Sequence, residues 1–335
     1  MIVVDAMGGD NAPSEIVKGC IDGVDQFGLD EIMLVGRSEN IKEILNNEGA
    51  DLSKYHILDA KDIIYTEDVP VTAIRRKRDS SMVRGLEYVR NNPGSVFVSA
   101  GNTGALMAGG LLRVGRIKGI DRPALAPVIP TLEGEMLLID AGANVDCKVE
   151  NLVQFGIIGS IYMERVRDKN RPRVGLLNIG TEETKGNELT KAAFHEMSPL
   201  ENINFIGNVE AREVLSGAVD VLVCDGFVGN VVLKLIEGVA QSMFAMIRTE
   251  VEKSTMTKIG AGLAKPAFRN IRDSMDYTKY GGAPLLGVKG GVIKMHGSSN
   301  REAVKNALFQ AMQFMKRDIV GTTTEQIAKL EGDIK

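Results

Sequence analysis

Tryptophan is absent from this 335-residue chain, and aromatic residues make up only 5% of it. Stacking platforms for bases and aromatic walls for sugars are therefore poor expectations. Histidine is scarce too: His56, His195 and His296 are the three. No two have metal-ligand spacing and no HExxH occurs, so no metal site is expected. Cys20, Cys147 and Cys224 form no CxxC pair, which argues against a disulfide framework and for a reducing, cytoplasmic setting. The opening MIVVDAMGGD lacks the basic stretch and apolar run of a secretory signal. No uninterrupted apolar run approaches the roughly 18 residues needed to span a bilayer. A formal charge of −4 disfavours general nucleic-acid binding. Walker A and GxSxG are missing, and the first glycine turn carries acids where a dinucleotide pyrophosphate would need neutral backbone. No cofactor is expected.

What the chain has is glycine, 37 of them, many placed just after short apolar segments. IVVD at 2–5, IMLV at 32–35, VFVS at 96–99, MLLID at 136–140, VGLLNI at 174–179 and VDVLVC at 219–224 read as strands. Helical periodicity marks 13–27, 38–48, 82–92, 103–116, 151–167 and 188–197. Apolar strands without polar alternation, separated by helices, predict a parallel sheet covered on both faces. The expected fold is α/β, a three-layer α/β/α sandwich with a mostly parallel central sheet. It should form one catalytic domain over 1–317, with a projecting helical lobe near 249–275 that Pro266 breaks into two pieces. The tail at 318–335 loses periodicity and is expected to fray.

Glycine turns follow several of these strands, in VVDAMGGDNAPSE, VSAGNTGALMAGG, LIDAGANVDCK, LLNIGTEETKGNE and CDGFVGN. In an open α/β sheet, ligands collect beyond the carboxyl ends of the strands, where helix starts offer backbone N–H groups to anions. Lys185, beside Thr181, Thr184 and Asn187, is either a phosphate-facing point charge or a surface lysine next to Glu182 and Glu183. Asn230 is either the N-cap of the helix that follows or an amide donor aimed at substrate. The basic turn AIRRKRD carries Arg75, Arg76 and Arg78; it is a solvated turn or a dock for an acidic partner. Between Val251 and Met275, Lys253, Lys258, Lys265, Arg269 and Arg272 mingle with Leu263 and Phe268. That mixture fits two helices packed on the body, a competing dock, or contact with an anionic membrane surface.

The stretches VDAMGGD, VSAGNTGALMA, LLNIGTEETKGNELTK, NFIGNVEAREV, DGFVGNVVLK and YGGAPLLGVKGGVIKMHGSS occur in that order. In them the chain resembles the bacterial phosphate acyltransferases of phospholipid synthesis, the acyl-carrier-protein:phosphate acyltransferases, from Ile2 to about Arg317. The resemblance implies a homodimeric α/β/α enzyme akin to phosphotransacetylases and isocitrate-type dehydrogenases. Such an enzyme converts fatty acyl-carrier protein and inorganic phosphate into acyl phosphate, which a membrane glycerol-3-phosphate acyltransferase consumes. It also implies catalytic roles for Lys185 and Asn230. Substrate contacts are expected at Asp5, Gly8, Gly9, Asn102, Thr103, Asn144, Thr181, Asn187, Gly229 and His296. The residues agree with this chemistry: phosphate is already a charged nucleophile, so the site needs positioning and oxyanion stabilisation rather than a Cys nucleophile or a His base. Two rival readings stand beside it. One is an oxidoreductase of the isocitrate-dehydrogenase type, which would reduce a nicotinamide cofactor. The other is a non-enzymatic carrier-protein or membrane adaptor, which would bind without turnover.

Overall fold

A computed structural model describes residues 1–274 and 280–333, with backbone alone at 272–274 and 330–333. Met275 and the Arg272 side chain, both part of the expected lobe, lie outside the described residues. The strands are β1 (Ile2–Asp5), β2 (Ile32–Gly36), β3 (Tyr55–Asp59), β4 (Val96–Ser99), β5 (Ala124–Leu125), β6 (Val128–Thr131), β7 (Gly134–Ile139), β8 (Arg173–Asn178), β9 (Asn204–Glu210), β10 (Val221–Val223), β11 (Ala283–Leu286) and β12 (Gly291–Lys294). The helices are α1 (Ser14–Phe27), α2 (Ser38–Asn47), α3 (Pro70–Arg76), α4 (Ser81–Asn91), α5 (Thr103–Gly109), α6 (Val149–Val166), α7 (Glu188–Met197), α8 (Gly226–Glu252), α9 (Thr255–Ser274), α10 (Arg301–Lys316) and α11 (Ile319–Asp333).

The expected three-layer α/β/α sandwich is present, with its strands divided between two sheets. One runs β3-β2-β1-β4-β12-β11-β5 and the other β6-β7-β10-β8-β9. Pairing is parallel except at β11, which is antiparallel to β12 and β5, and at β6 against β7. Alternation along β1 explains the burial on both faces. Ile2 and Val4 join the core shared with α1, α6 and α10, while Val3 joins the opposite core with Val83 and Leu86 of α4. Gly19 and Gly23 of α1 are notches for α10: a Cβ at either would lie within 3 Å of Val304 or Leu308. The sheets meet where the Ala141 N–H donates to the Leu125 carbonyl at 2.8 Å and Leu138 N–H to that of Pro127 at 3.0 Å.

Three expectations are corrected. Ile319–Asp333 form α11, whose Ile319, Thr323 and Ile327 are buried on one stripe, where a fraying tail was expected. Pro266 lies inside a continuous α9. A proline costs one ladder bond and crowds the carbonyl four residues back, here that of Gly262, an exposed residue whose carbonyl water can serve. The break in the lobe falls instead at Lys253 and Ser254, between α8 and α9. Finally, α8 is 27 residues long and, by length and composition alone, apolar enough to cross a membrane. The count of uninterrupted apolar runs passed over it because Lys234 and Glu237 stand within the helix.

Candidate active site at the junction of the sheets

The five glycine turns all follow strands but divide between the sheets. Those after β1 and β4 belong to the first, and those after β7, β8 and β10 to the second. Where the turns after β4 and β7 face the first turns of α8 is a cavity of about 400 Å³. Leu125, Pro127 and Val128 at the sheet junction and Leu233 give it apolar wall. Thr103, Asn230, Lys234, Glu237, Lys294, His296 and Ser299 give it polar atoms.

Asn230 reaches this wall because α8 starts five residues earlier than a cap at Asn230 would require. The cap is Asp225, whose Oδ1 accepts from Val228 N–H at 2.9 Å. Gly226 N–H donates to the Asn144 carbonyl at 2.7 Å. A carboxylate and a carbonyl thus occupy the positive helix end, which corrects the expectation of free N–H groups waiting there for an anion. Released from capping, the exposed Asn230 amide has no hydrogen-bond partner among the described residues. Gly142 packs beside it: a Cβ there would sit 3.5 Å from the Asn230 Cβ, an ordinary contact.

Asp140 organises the floor. Its Oδ1 accepts from the N–H groups of Leu125, Gly142 and Ala143, and its Oδ2 from the N–H and side chain of Asn144. Burial still pushes its carboxyl above the usual value, against those bonds. Asn144 donates its amide to Pro123 O and Asp140, so its role here is to hold the turn. Gly229 is needed for close approach, since a Cβ would stand 1.9 Å from the Asp140 carbonyl oxygen.

Several other expected ligand residues also frame the site instead of lining it. Asp5 is buried and accepts from Met7 N–H and the Ser99 hydroxyl; burial raises its carboxyl. Gly8 and Gly9 let the first turn press on the β4 turn, with added Cβ atoms 2.8 Å from Gly101 N and 2.8 Å from Ala100 Cβ. Asn102 caps α5 and donates to the carbonyls of Tyr65, Thr66 and Asp68. Thr103 and His296 do line the cavity. His296 Nδ1 lies 2.7 Å from the Ser298 hydroxyl, and the buried part of its ring holds the imidazole below the usual histidine value.

Lys185 is not brought into the cavity. It is exposed on the loop after β8, where its N–H closes a turn on Glu182 O and its carbonyl accepts from the Asn178 amide. Thr181 is exposed on the same loop, and Asn187 caps α7. Because β8 borders β10, this loop leaves the sheet at the strand next to the one that feeds α8. His195 is exposed in the last turn of α7, and His56 pairs with Glu31 at 2.6 Å on the surface.

Lys294 was missed. It ends β12, is 9% exposed and lines the cavity, and burial brings its ammonium down to about 8 while Asp5 and Asp10 oppose the shift. A lysine closing an otherwise apolar strand, GVIK, was the signal that could have found it. Cys20, Cys147 and Cys224 are free thiols. Burial pushes Cys147 up to about 11 and Cys224 well above its usual value, so neither is poised as a thiolate. No cluster of three or more metal-ligating side chains occurs among the described residues.

Frame and cavity define a three-layer α/β enzyme with its site at the strand ends, of the architecture found in a Streptococcus pyogenes phosphotransacetylase. That structure aligns with a TM-score of 0.58 over 98% of this chain and 94% of its own, at 16% identity. A family model described as "Fatty acid synthesis protein" matches residues 1–321. A phosphate acyltransferase of Alkaliphilus oremlandii is 50% identical over 332 residues, 99% of this chain and 98% of that one. A putative phosphate acyltransferase of Clostridium perfringens is 49% identical over the same shares. The chain belongs to the phosphate acyltransferase family.

Proposed function

We propose that this enzyme transfers a fatty acyl group from acyl-carrier protein to inorganic phosphate, giving acyl phosphate and free carrier protein. The observation that carries the reading is the unpartnered Asn230 amide on the wall of a cavity that also holds two lysines and offers no activated thiol. Hydrogen phosphate attacks the thioester carbonyl, the C–O bond forms and the C–S bond breaks. The proton carried by phosphate ends on the departing thiolate, so no protein nucleophile is consumed. Asn230 donates to the carbonyl oxygen as it becomes an oxyanion. Lys185, at the neighbouring strand end, acts as the outer cation that draws phosphate in. The test supplies fatty acyl-carrier proteins of several chain lengths with phosphate and measures acyl phosphate and free thiol. Folded enzyme that makes neither product overturns the reading.

Carrier protein is acidic, and we assign its dock to the basic last turn of α3 and the residues that follow it. Arg75, Arg76 and Arg78 are exposed and without an ion-pair partner among the described residues, whereas Lys77 pairs with Asp68. Lys253, in the competing segment, pairs with Glu250. Replacing the three arginines by Ala is expected to raise KM for acyl-carrier protein by roughly 5–20-fold at low salt, about 1–2 kcal/mol for three rim charges. The gap should close as salt rises, with phosphate KM little changed. A carrier-protein KM unmoved at low salt assigns the dock elsewhere.

The lobe serves assembly and location in the same reading. Val231, Leu235, Val239, Met243 and Met246 leave an apolar stripe exposed along α8, the face proposed to pair in a homodimer. Leu263 on α9 is 82% exposed and is proposed to meet an anionic membrane, where a glycerol-3-phosphate acyltransferase would consume the product of a cytoplasmic enzyme. Phe268, expected beside it, is half-buried and lines a groove against Met246 and Ile247 of α8. Facing α8 across that groove, Phe268 is left out of the proposed membrane contact. Leu263→Glu should lower recovery with floated anionic vesicles while leaving dimer mass by sedimentation and turnover unchanged. A wild type that never floats at low salt eliminates the contact.

A further inference from the structure

An ammonium taken out of water normally keeps a carboxylate beside it, because carbonyl dipoles alone replace its hydration poorly. Lys294 has no such partner among the described residues. Its Nζ donates to the Met295 carbonyl and, at 3.4 Å, to that of Ala100. An ammonium has three N–H donors, so one is left for the cavity. Two of the nearby acids are committed elsewhere, and the third, Asp10, is exposed to water beside Gly297. Both oxygens of Asp5 accept from Met7 N–H and the Ser99 hydroxyl, and Glu237 pairs with Lys234 at 2.7 Å. The third Nζ donor therefore has no acceptor among the described residues, and the end of the cavity it serves is lined by Gly282 and Gly297, which bring no side chain of their own.

We propose that Lys294 is a catalytic residue, the buried cation that seats the phosphate nucleophile between the end of β12 and the Asn230 amide. This deepens the acyl-transfer reading and rests on it. The apolar wall of Leu125, Pro127, Val128 and Leu233 is left for the thioester and the start of the acyl chain. Phosphate seated at Lys294 approaches the carbonyl from the first sheet, and Asn230 holds the carbonyl oxygen from the second. One substrate is thus gripped by each sheet, and the reaction takes place at their junction.

The burial of Lys294 has a consequence in pH. The charged groups facing it are Asp5 of β1, Asp10 of the first turn, Lys234 and Glu237 of α8, and the titratable His296. With the ammonium near 8, the cation is present below that pH and lost as pH rises through it. Phosphate favours the charged form, so its affinity should fall above pH 8, approaching about tenfold per unit at the alkaline end. An arginine at this position stays charged throughout.

The experiment measures binding of inorganic phosphate by calorimetry and, in parallel, phosphate KM for acyl phosphate formation. Wild type, Lys294→Met and Lys294→Arg are compared from pH 6.5 to 9.5. Lys294→Met is expected to weaken phosphate by roughly 10–100-fold, the worth of a charged hydrogen bond, with carrier-protein KM unchanged. Lys294→Arg should restore part of the affinity and flatten its pH profile. Equal phosphate affinity in wild type and folded Lys294→Met overturns the assignment. If the Met variant does not fold, the wild-type profile decides, because affinity level from pH 7 to 9.5 overturns it equally. Lys294-dependent phosphate binding without acyl phosphate in any assay would keep the anion seat and remove the reaction. Acyl phosphate formation with a Lys294-independent phosphate KM would do the reverse.

Discussion

Asn230→Ala is expected to lower kcat for acyl phosphate formation by roughly 10²–10³-fold, the usual cost of removing one oxyanion donor. Its melting temperature should stay close to that of the wild type. The two halves of that expectation come from one geometric fact: Asp225, not Asn230, caps α8. Removing an Asn cap would cost roughly 0.5–2 kcal/mol, but this amide makes no bond to the fold among the described residues. Asn230→Asp is the sharper variant. It keeps the shape, yet a carboxylate cannot donate to an oxyanion and repels phosphate, so it should be at least as impaired as Ala. Lys185→Ala should behave differently, raising phosphate KM more than it lowers kcat, because Lys185 stands exposed outside the cavity. Near-normal turnover in folded Asn230→Ala would remove the oxyanion role.

Much of this architecture is legible in local sequence, and the reason is burial. IVVD and VFVS are buried at every position, so their apolar runs coincide with β1 and β4. The pattern at 13–27 corresponds to α1, whose buried residues recur every three to four positions. Local pattern fails where a single stripe carries the packing. In α11, Ile319, Thr323 and Ile327 make one narrow face with a threonine at its centre, too polar to stand out from a loop. The site itself is less legible than the fold. The glycine turns announce strand ends, but which of them share a cavity depends on strand order, and β10 lies between β7 and β8. That order puts Gly142 against Asn230, 88 positions apart by numbering, while leaving Lys185 on its own loop. Asp5, Asn102 and Asn144 are polar residues at strand ends like true ligands, yet their hydrogen-bonding capacity is taken up by backbone and side chains. Only the folded arrangement distinguishes an amide spent on the fold from one kept for a substrate.

Gly229→Ala should be the most disruptive single methyl in the molecule's candidate site. A Cβ at this position would lie 1.9 Å from the Asp140 carbonyl oxygen, 2.9 Å from its carbonyl carbon and 2.9 Å from Cys224 Sγ. Two of these are backbone atoms that cannot rotate away. The same Asp140 accepts the N–H groups of Leu125, Gly142, Ala143 and Asn144, so shifting it disturbs the whole turn. The clash is then relieved by lifting α8, which carries Asn230 off the cavity wall. Overpacking of a core costs about 1–3 kcal/mol, and more where nothing yields; a loss of about 3 kcal/mol or more is expected here, together with loss of turnover. Gly262→Ala, on the neighbouring α9, is the control. A Cβ there meets nothing within 4 Å, so replacing an exposed helical glycine should stabilise by roughly 0.5–1 kcal/mol. Denaturant titration and acyl phosphate assays of the pair separate close packing from helix propensity. If both alanine variants are as stable and active as wild type, α8 does not rest on Asp140, and the placement of Asn230 derived from that contact is wrong.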